Sequence, residues 1–537
     1  MVNISFYGSH NASYVLEIDG KIELVLEVER FLNYKNSGLA QYYCPKVLDI
    51  VFLAEYIPKW IMNKYNIEEF DNCYYINTDI VIHELYYLHK FIPAKNYIEC
   101  KHHLSHAAGS FYQSPFEKAL IFSFDGGGND GKFNVYTCER GKSPEQIQSV
   151  INPILNLHYI GYDLGFPYMI FAHYLNDIRF EDLGMGNLVY SGKIMGLSSY
   201  GKINEEWLPH FINFYKSDPN GGNYFDKIKV LGDIIGVEFS ITDRLTGQLA
   251  YDIAATSQKA FEDCFLEVAI PQMEKYKEYP ICLAGGCGLN ILLNTRLVNE
   301  FNKEVFVGPD PNDCGIGLGM ILDNLKPEKP FDSTYSGTNL LDLDLLPDYI
   351  QNNKIFFTSH NLKEEDLVKD LINGKIIGVA RGRSEHGPRA LGNRSIICNP
   401  TIPEMKSILN EKVKHREWYR PFAPVVRLED VNKYFEWNKE SRWMSFCPKV
   451  KEEWKDKLPS ITHVDGTARV QTVTKEQNEW LYNLITKFEE ETGIGVLLNT
   501  SFNVDGKPIL SSIKDAFEIL NNTQLDGLVI ENYYITK

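Results

Sequence analysis

No stretch of the 537 residues approaches the roughly 18 consecutive apolar side chains of a membrane-spanning helix. The first ten residues lack the basic head and apolar core of a secretory leader. The ten cysteines are scattered, at 44, 73, 100, 138, 264, 282, 287, 314, 398 and 447, and none forms a CxxC pair. That spacing excludes a zinc ribbon and a disulfide scaffold. Low-complexity tracts are missing, so disordered and fibrous classes are out. The expectation is a reduced, cytoplasmic, globular protein without membrane contact.

What the chain has is acid. Asp and Glu number 71 against 54 Lys and Arg, for a net charge of -17. Residues 375–427 reverse this balance. They hold Lys375, Arg381, Arg383, Arg389, Arg394, Lys406, Lys412, Lys414, Arg416, Arg420 and Arg427, but only Glu385, Glu404, Glu411 and Glu417. Arginine concentrated inside an acidic chain points to a local anion site, since guanidinium forks match phosphate geometry. The acidic remainder argues against broad nucleic-acid binding.

Strand-type runs at 4–7, 14–18 and 22–28 flank the loop Gly8-Ser9-His10-Asn11-Ala12-Ser13 and the hairpin turn Asp19-Gly20. The pattern recurs at 119–139 around Asp125-Gly126-Gly127-Gly128-Asn129-Asp130-Gly131, which suggests an internal duplication. Strand-type runs at 281–284 and 305–307 lead into two further loops, Gly285–Asn290 and 308–315, and a helix is expected around 253–277. Residues 326–355, rich in Pro and Ser, read as a boundary. The reading is two α/β units, 1–345 and 346–537. Beyond the boundary, strands are expected at 376–380, 496–498 and 527–530, and helices at 403–413 and 514–521.

His102 and His106 are four residues apart, so on a helix both imidazoles share one face and can grip one metal. A carboxylate would complete the site. Asp125 and Asp313 are the two candidates, while His103 points elsewhere. The glycine loops can bring N–H groups close to phosphate, which nominates Gly127, Gly128, Asn129, Gly285, Gly286 and Asn290. Neither loop matches a P-loop or a dinucleotide fingerprint. Downstream, Glu385-His386-Gly387-Pro388-Arg389, Arg394, Lys414-His415-Arg416, Arg420, Arg469 and the run Asn499-Thr500-Ser501-Phe502-Asn503 form a constellation able to neutralise phosphorylated ligands.

On these residues, together with the runs at 27–31, 193–197 and 312–315, the chain resembles the O-carbamoyltransferase family of nodulation and antibiotic-tailoring enzymes over nearly its full length. The resemblance implies a duplicated α/β unit of the actin/sugar-kinase (threonylcarbamoyl-transferase) type, followed by a YrdC-like α/β domain. It implies that ATP and carbamoyl phosphate, with Mg²⁺, give carbamoyl-adenylate in the second unit. The first unit would pass the carbamoyl group to a hydroxyl of a sugar, a natural product or a hydroxymethyl base, free or in DNA. By motif, Arg389, Lys414, Arg416, Arg420, Arg469, Asn499 and Ser501 fall at the adenylate site, with Arg394 and Asn503 beside them and Lys193 in the first unit. His102, His106, Asp125 and Asp313 fall at a metal site, usually Fe²⁺, and His10 at the position of a catalytic histidine. Two positions depart from the family pattern: Asn11 replaces an aspartate and His386 a phenylalanine. Tyr34, Lys35, Asn36, Tyr42, Tyr43, Tyr56 and Trp60 are candidates either for an acceptor pocket or for core packing. A homodimer is an open option. The rival readings are a tRNA threonylcarbamoyl-type enzyme, which calls for a basic RNA surface, and a small-molecule kinase, which leaves the arginines unexplained.

Overall fold

Strand and hairpin chemistry organises the first part of the chain. In the computed structural model, residues 1–39, 50–77, 85–148, 163–179, 188–216, 224–353 and 357–537 are described. β1 (Val2–Tyr7), β2 (Ser13–Ile18) and β3 (Lys21–Glu27) form an antiparallel meander. Asp19 and Gly20 close its hairpin with φ of 50° and 84°, the left-handed turn that an Asp-Gly pair favours. β4 (Phe70–Tyr75) pairs parallel to β1, and β5 (Ala94–Glu99) parallel to β4, giving the order β3-β2-β1-β4-β5.

The same order returns in a second sheet. β6 (Lys118–Gly128), β7 (Gly131–Glu139) and β8 (Glu145–Gln148) form the meander, while β9 (Ile281–Ala284) and β10 (Val305–Val307) add in parallel, giving β10-β9-β6-β7-β8. Two sheets of one topology within one unit fit the duplicated α/β arrangement expected for the first unit. The apolar run of β6 is fully buried from Ala119 to Phe122 and again at Phe124. Each such buried Leu, Ile or Phe contributes roughly 1.5–3 kcal/mol.

The second unit is an α/β unit on one mixed sheet. Its strands are β11 (Thr358–Asn361), β12 (Ile377–Ala380), β13 (Arg394–Cys398), β14 (Ala423–Arg427), β15 (Gln471–Val473), β16 (Val496–Ser501), β17 (Gly527–Ile530) and β18 (Tyr533–Thr536). Their order is β11-β18-β17-β12-β13-β16-β14-β15. Helices Glu364–Ile372 and Glu479–Thr492 cover it, with Leu367, Leu371, Leu481, Leu484 and Phe488 packed on Ile377, Val425, Leu497 and Val529.

The compact units are Met1–Val28 with Asn36–Asp332, and Glu29–Lys35 with Ser333–Lys537. The change of unit thus falls after Asp332, ahead of the expected 345. The short segment Glu29–Lys35 belongs with the downstream residues. The helix expected at 403–413 is an α-helical turn, Met405–Ile408, that widens into a π-helical turn, Leu409–Lys414. Such widened turns often sit at functional positions. Among the described residues no helix is long and apolar enough to cross a membrane, and the nine described cysteines are free thiols.

Candidate functional site

In the first unit, helix His102–Gln113 follows β5 and packs against helix Ile316–Leu325. The crossing is close because it is made by glycines. A Cβ on Gly319 would lie 2.0 Å from the Ser105 carbonyl oxygen, and one on Gly109 would lie 3.4 Å from the Gly319 Cα. This approach brings Asp313, on the turn Asp313–Gly315 that opens the second helix, to the histidine face of the first. β6 delivers Asp125.

The ligand atoms of His102, His106, Asp125 and Asp313 all lie within 4.8 Å of one another. His106 Nε2 is 3.4 Å from Asp125 and 3.3 Å from Asp313, and His102 Nε2 is 3.7 Å from Asp313. Both Nε2 atoms are buried without a hydrogen-bond partner, so each can serve as a ligand atom once it is unprotonated. Two imidazole nitrogens with two carboxylate oxygens suit a divalent transition metal. Burial pushes His102 down to about 4. Burial would lower His106 too, but the Asp125 and Asp313 carboxylates outweigh it and raise it to about 9. Burial likewise opposes ionisation of Asp313, yet His10, His102 and His106 hold it well below the usual carboxylate range.

The surrounding groups orient these four. Tyr7 Oη donates to Asp313 Oδ2 at 2.5 Å, and His10 Nε2 lies 3.4 Å from the same oxygen. His10 is 22% exposed, so it is the imidazole of this cluster that a ligand can reach. Asn11, beside it, takes φ of 55°. His103 is no ligand: its ring is tied to Ser123 Oγ and the Gly131 carbonyl, at 2.8 and 2.9 Å.

The glycine loops turn out to support this cluster. Gly286 N–H donates to Asp125 at 2.8 Å. A Cβ on Gly285, where φ is 86°, would lie 2.1 Å from the Phe124 carbonyl oxygen, and one on Gly128 would lie 2.4 Å from the His102 ring. Asn129 Oδ1 accepts from the His102 N–H at 2.9 Å, capping the helix. Asn290 caps helix Ile291–Phe301 and pairs with Gln258. The phosphate-cradling use expected of Gly286, Asn129 and Asn290 therefore meets groups already engaged within the fold. Gly127 has φ of 148°, and Lys193 is buried with its ammonium 5.8 Å from the Tyr190 ring centre.

In the second unit Arg389, Lys414, Arg416, Arg420 and Arg469 converge. Burial, then repulsion from Arg420, pushes Arg389 down to about 10. Burial with Arg416 and Arg420 lowers Lys414 well below the lysine range, and Lys35 adds to the effect. Arg416 is lowered by burial and Arg420, and Arg469 by burial, Arg389, Arg416 and Arg420. Glu417 pairs with Arg420 at 3.4 Å, and Glu417 and Asp505 offset part of the charge on Arg416, as Asp505 does on Lys414. Arg469 Nε is buried without a partner. Lys414 Nζ donates instead to neutral oxygens: the Ser501 carbonyl at 2.6 Å, Ser501 Oγ at 3.2 Å, and Asn503 Oδ1. Asn499 is buried and donates to Ala390 and Gln471 at 3.0 and 2.6 Å, so it braces the Arg389 loop.

Arg394 stands apart. Its guanidinium donates to the carbonyls of Arg381, Asn393, Thr338 and Gly382, an internal role that a count of charges could not distinguish from ligand binding. Of the acceptor-pocket candidates, Tyr42 and Tyr43 lie outside the described residues. Tyr34 and Lys35 pack with the second unit, while Tyr56 is 44% exposed and is stacked on Phe52. Sequence reasoning missed Tyr7, Arg30 and the loop-bracing role of Glu385. The one signal for Tyr7 was its place on the strand that enters the His10 loop.

Two family models match the chain: the carbamoyltransferase N-terminus over residues 17–322 and the carbamoyltransferase C-terminus over 368–537. Nodulation protein NolO of Bradyrhizobium diazoefficiens is 33% identical over 463 residues, 81% of this chain and 78% of that protein. Nodulation protein NolNO of Sinorhizobium fredii is 34% identical over 462 residues, 81% of this chain and 63% of that protein. The 3'-hydroxymethylcephem-O-carbamoyltransferase of Amycolatopsis lactamdurans is 36% identical over 284 residues, 52% of each chain.

Proposed function

The chain belongs to the carbamoyltransferase family and is a transferase, and from that premise we propose that it is an ATP-dependent O-carbamoyltransferase. The observation that carries this reading is the second unit's set of five convergent cations, whose burial and mutual repulsion lower Arg389, Lys414, Arg416 and Arg469. Such a set fits two phosphorylated substrates, ATP with its Mg²⁺ and carbamoyl phosphate. Carbamoyl phosphate reacts with water to release phosphate and carbamate. A carbamate oxygen then attacks the α-phosphorus of ATP, and pyrophosphate leaves carbamoyl-adenylate behind. In this reading Arg389, Arg416, Arg420 and Arg469 offset the phosphate charge, and Lys414 follows the pyrophosphate oxygens as they leave. Carbamate is a poor acyl donor because its nitrogen feeds electrons into the carbonyl; the adenylate supplies the leaving group it lacks.

In the first unit, His102, His106, Asp125 and Asp313 fit a divalent metal, proposed to be Fe²⁺. Bound there, the metal would supply Lewis acidity toward a carbonyl or hydroxyl oxygen. His10, held beside Asp313, takes the proton of the acceptor hydroxyl as its oxygen attacks the carbamoyl carbon, and AMP departs. Lys193 and the Gly127 peptide are the proposed phosphate contacts of this step. The acceptor is a hydroxyl compound of the sugar, natural-product or hydroxymethyl-base class.

The test is incubation with ATP, Mg²⁺ and carbonyl-labelled carbamoyl phosphate across a panel of such hydroxyl compounds. The expected result is pyrophosphate release that depends on carbamoyl phosphate, with label in one acceptor as an ester. Phosphorylated acceptor with ADP, formed without carbamoyl phosphate, would make the chain a kinase and refute the proposal.

A further inference from the structure

The segment Glu29–Lys35 lies early in the chain yet packs as part of the second unit. Arg30 anchors it. The side chain is buried, and its two terminal nitrogens donate to the carbonyls of Glu385 and Gly387. Asn33 adds a bond from Nδ2 to Asp515 at 2.7 Å, and Lys507 reaches the Asn33 carbonyl at 3.4 Å.

Those two carbonyls belong to the loop that presents Arg389. Glu385 ties the loop from within: one carboxylate oxygen accepts the N–H groups of Leu391, Asn393 and Arg394, at 2.7, 2.7 and 3.1 Å. Arg30 ties it at the other end. Between the ties Gly387 takes φ of 95°, a conformation suited to glycine, and Pro388 restricts the next link. A planar guanidinium bound to alternate carbonyls fixes the peptides from which Arg389 departs. The restraint matters because Arg420 repels Arg389, and a loose loop would let it swing toward water.

We propose that Arg30 is a positioning residue of the second unit's anion site, holding the Glu385–Gly387 peptides so that Arg389 stands in the cluster before any anion arrives. The inference rests on the reading of that cluster as the site of the ATP-dependent step. It gives the segment Glu29–Lys35 a part in activating the carbamoyl group.

The experiment is a double-mutant cycle on the full chain, read as affinity for inorganic pyrophosphate by titration calorimetry. Arg389→Ala is expected to weaken binding about a hundredfold and Arg30→Ala about tenfold, the range lost with a charged hydrogen bond. If Arg30 acts through Arg389, the double variant binds no more weakly than Arg389→Ala alone. Arg30→Lys keeps the charge but not the planar fork, so it falls between the wild type and Arg30→Ala; it also stands in should Arg30→Ala fail to fold. Losses that multiply in the double variant would overturn the proposal, as would wild-type affinity in either Arg30 variant. A wild type that binds pyrophosphate but releases none from ATP and carbamoyl phosphate would refute the proposed reaction and leave the coupling standing. A wild type with no affinity for pyrophosphate would overturn both.

Discussion

In the first unit buried imidazoles face buried carboxylates; in the second, guanidinium and ammonium groups face one another. Opposite charges in contact outweigh burial, which is why His106 is raised to about 9 and Asp313 held far down. Like charges in contact add to burial, and Arg389, Lys414, Arg416 and Arg469 all move toward their uncharged forms. Once His106 gives up its proton to an incoming cation, the first cluster offers two negative charges and two nitrogen lone pairs, so it fits a divalent cation. The second holds repulsion that a polyanion relieves.

The largest effect that would sharpen this contrast is at the centre of the second cluster. Arg389→Ala is expected to cut carbamoyl-phosphate-dependent pyrophosphate release by about 10²–10³-fold, the cost of losing one donor to developing charge. Metal content, read by elemental analysis of the purified variant, should stay at the wild-type level.

In the first cluster, Tyr7→Phe removes the hydroxyl that donates to Asp313. An outer partner of this kind is worth about 10–100-fold in metal affinity. Titration with a competing chelator reads the change, and unchanged affinity would mean that Tyr7 only fills space.

A smaller effect comes from Lys414. Burial and its cationic neighbours lower its pKa, so the free protein gives up this proton at a pH where an exposed lysine keeps it. A bound polyanion raises the pKa again. Binding therefore takes up a proton, and affinity for pyrophosphate falls as pH rises from the free toward the bound pKa, by at most about tenfold per pH unit. Calorimetry in buffers of different ionisation enthalpy reads the uptake. The Lys414→Met variant should lose it; the same uptake in that variant would assign the proton elsewhere.

The smallest effect separates neighbours on one helix. His103→Gln breaks bonds to Ser123 and Gly131 but touches no ligand atom. It should lower stability by about 1 kcal/mol and leave metal content unchanged. Loss of metal in this variant would break the assignment of the four ligands.

Much of this was legible in the chain because local chemistry carried it. The Asp19-Gly20 turn, the repeated strand-loop-strand pattern and the four-residue histidine spacing all survive in the structure. The shared sheet order was not legible. β5 has little apolar alternation, with Lys95, Asn96, Tyr97, Ile98 and Glu99 all exposed, so it carried no strand signal. Contacts of long range were hidden as well. Arg30 and Glu385 are separated by 355 positions, and only folding brings them together. The arginine-rich stretch was visible in the chain but not resolved, since Arg389 and Arg394 look alike until the hydrogen bonds of Arg394 are known.

The most direct test of a division of labour between the clusters is one turnover of the His106→Ala variant with ATP and labelled carbamoyl phosphate in the presence of the accepted hydroxyl compound. The account predicts that pyrophosphate appears at the wild-type rate and label stays on the nucleotide, with no labelled ester formed. Pyrophosphate release lost together with ester formation would contradict it.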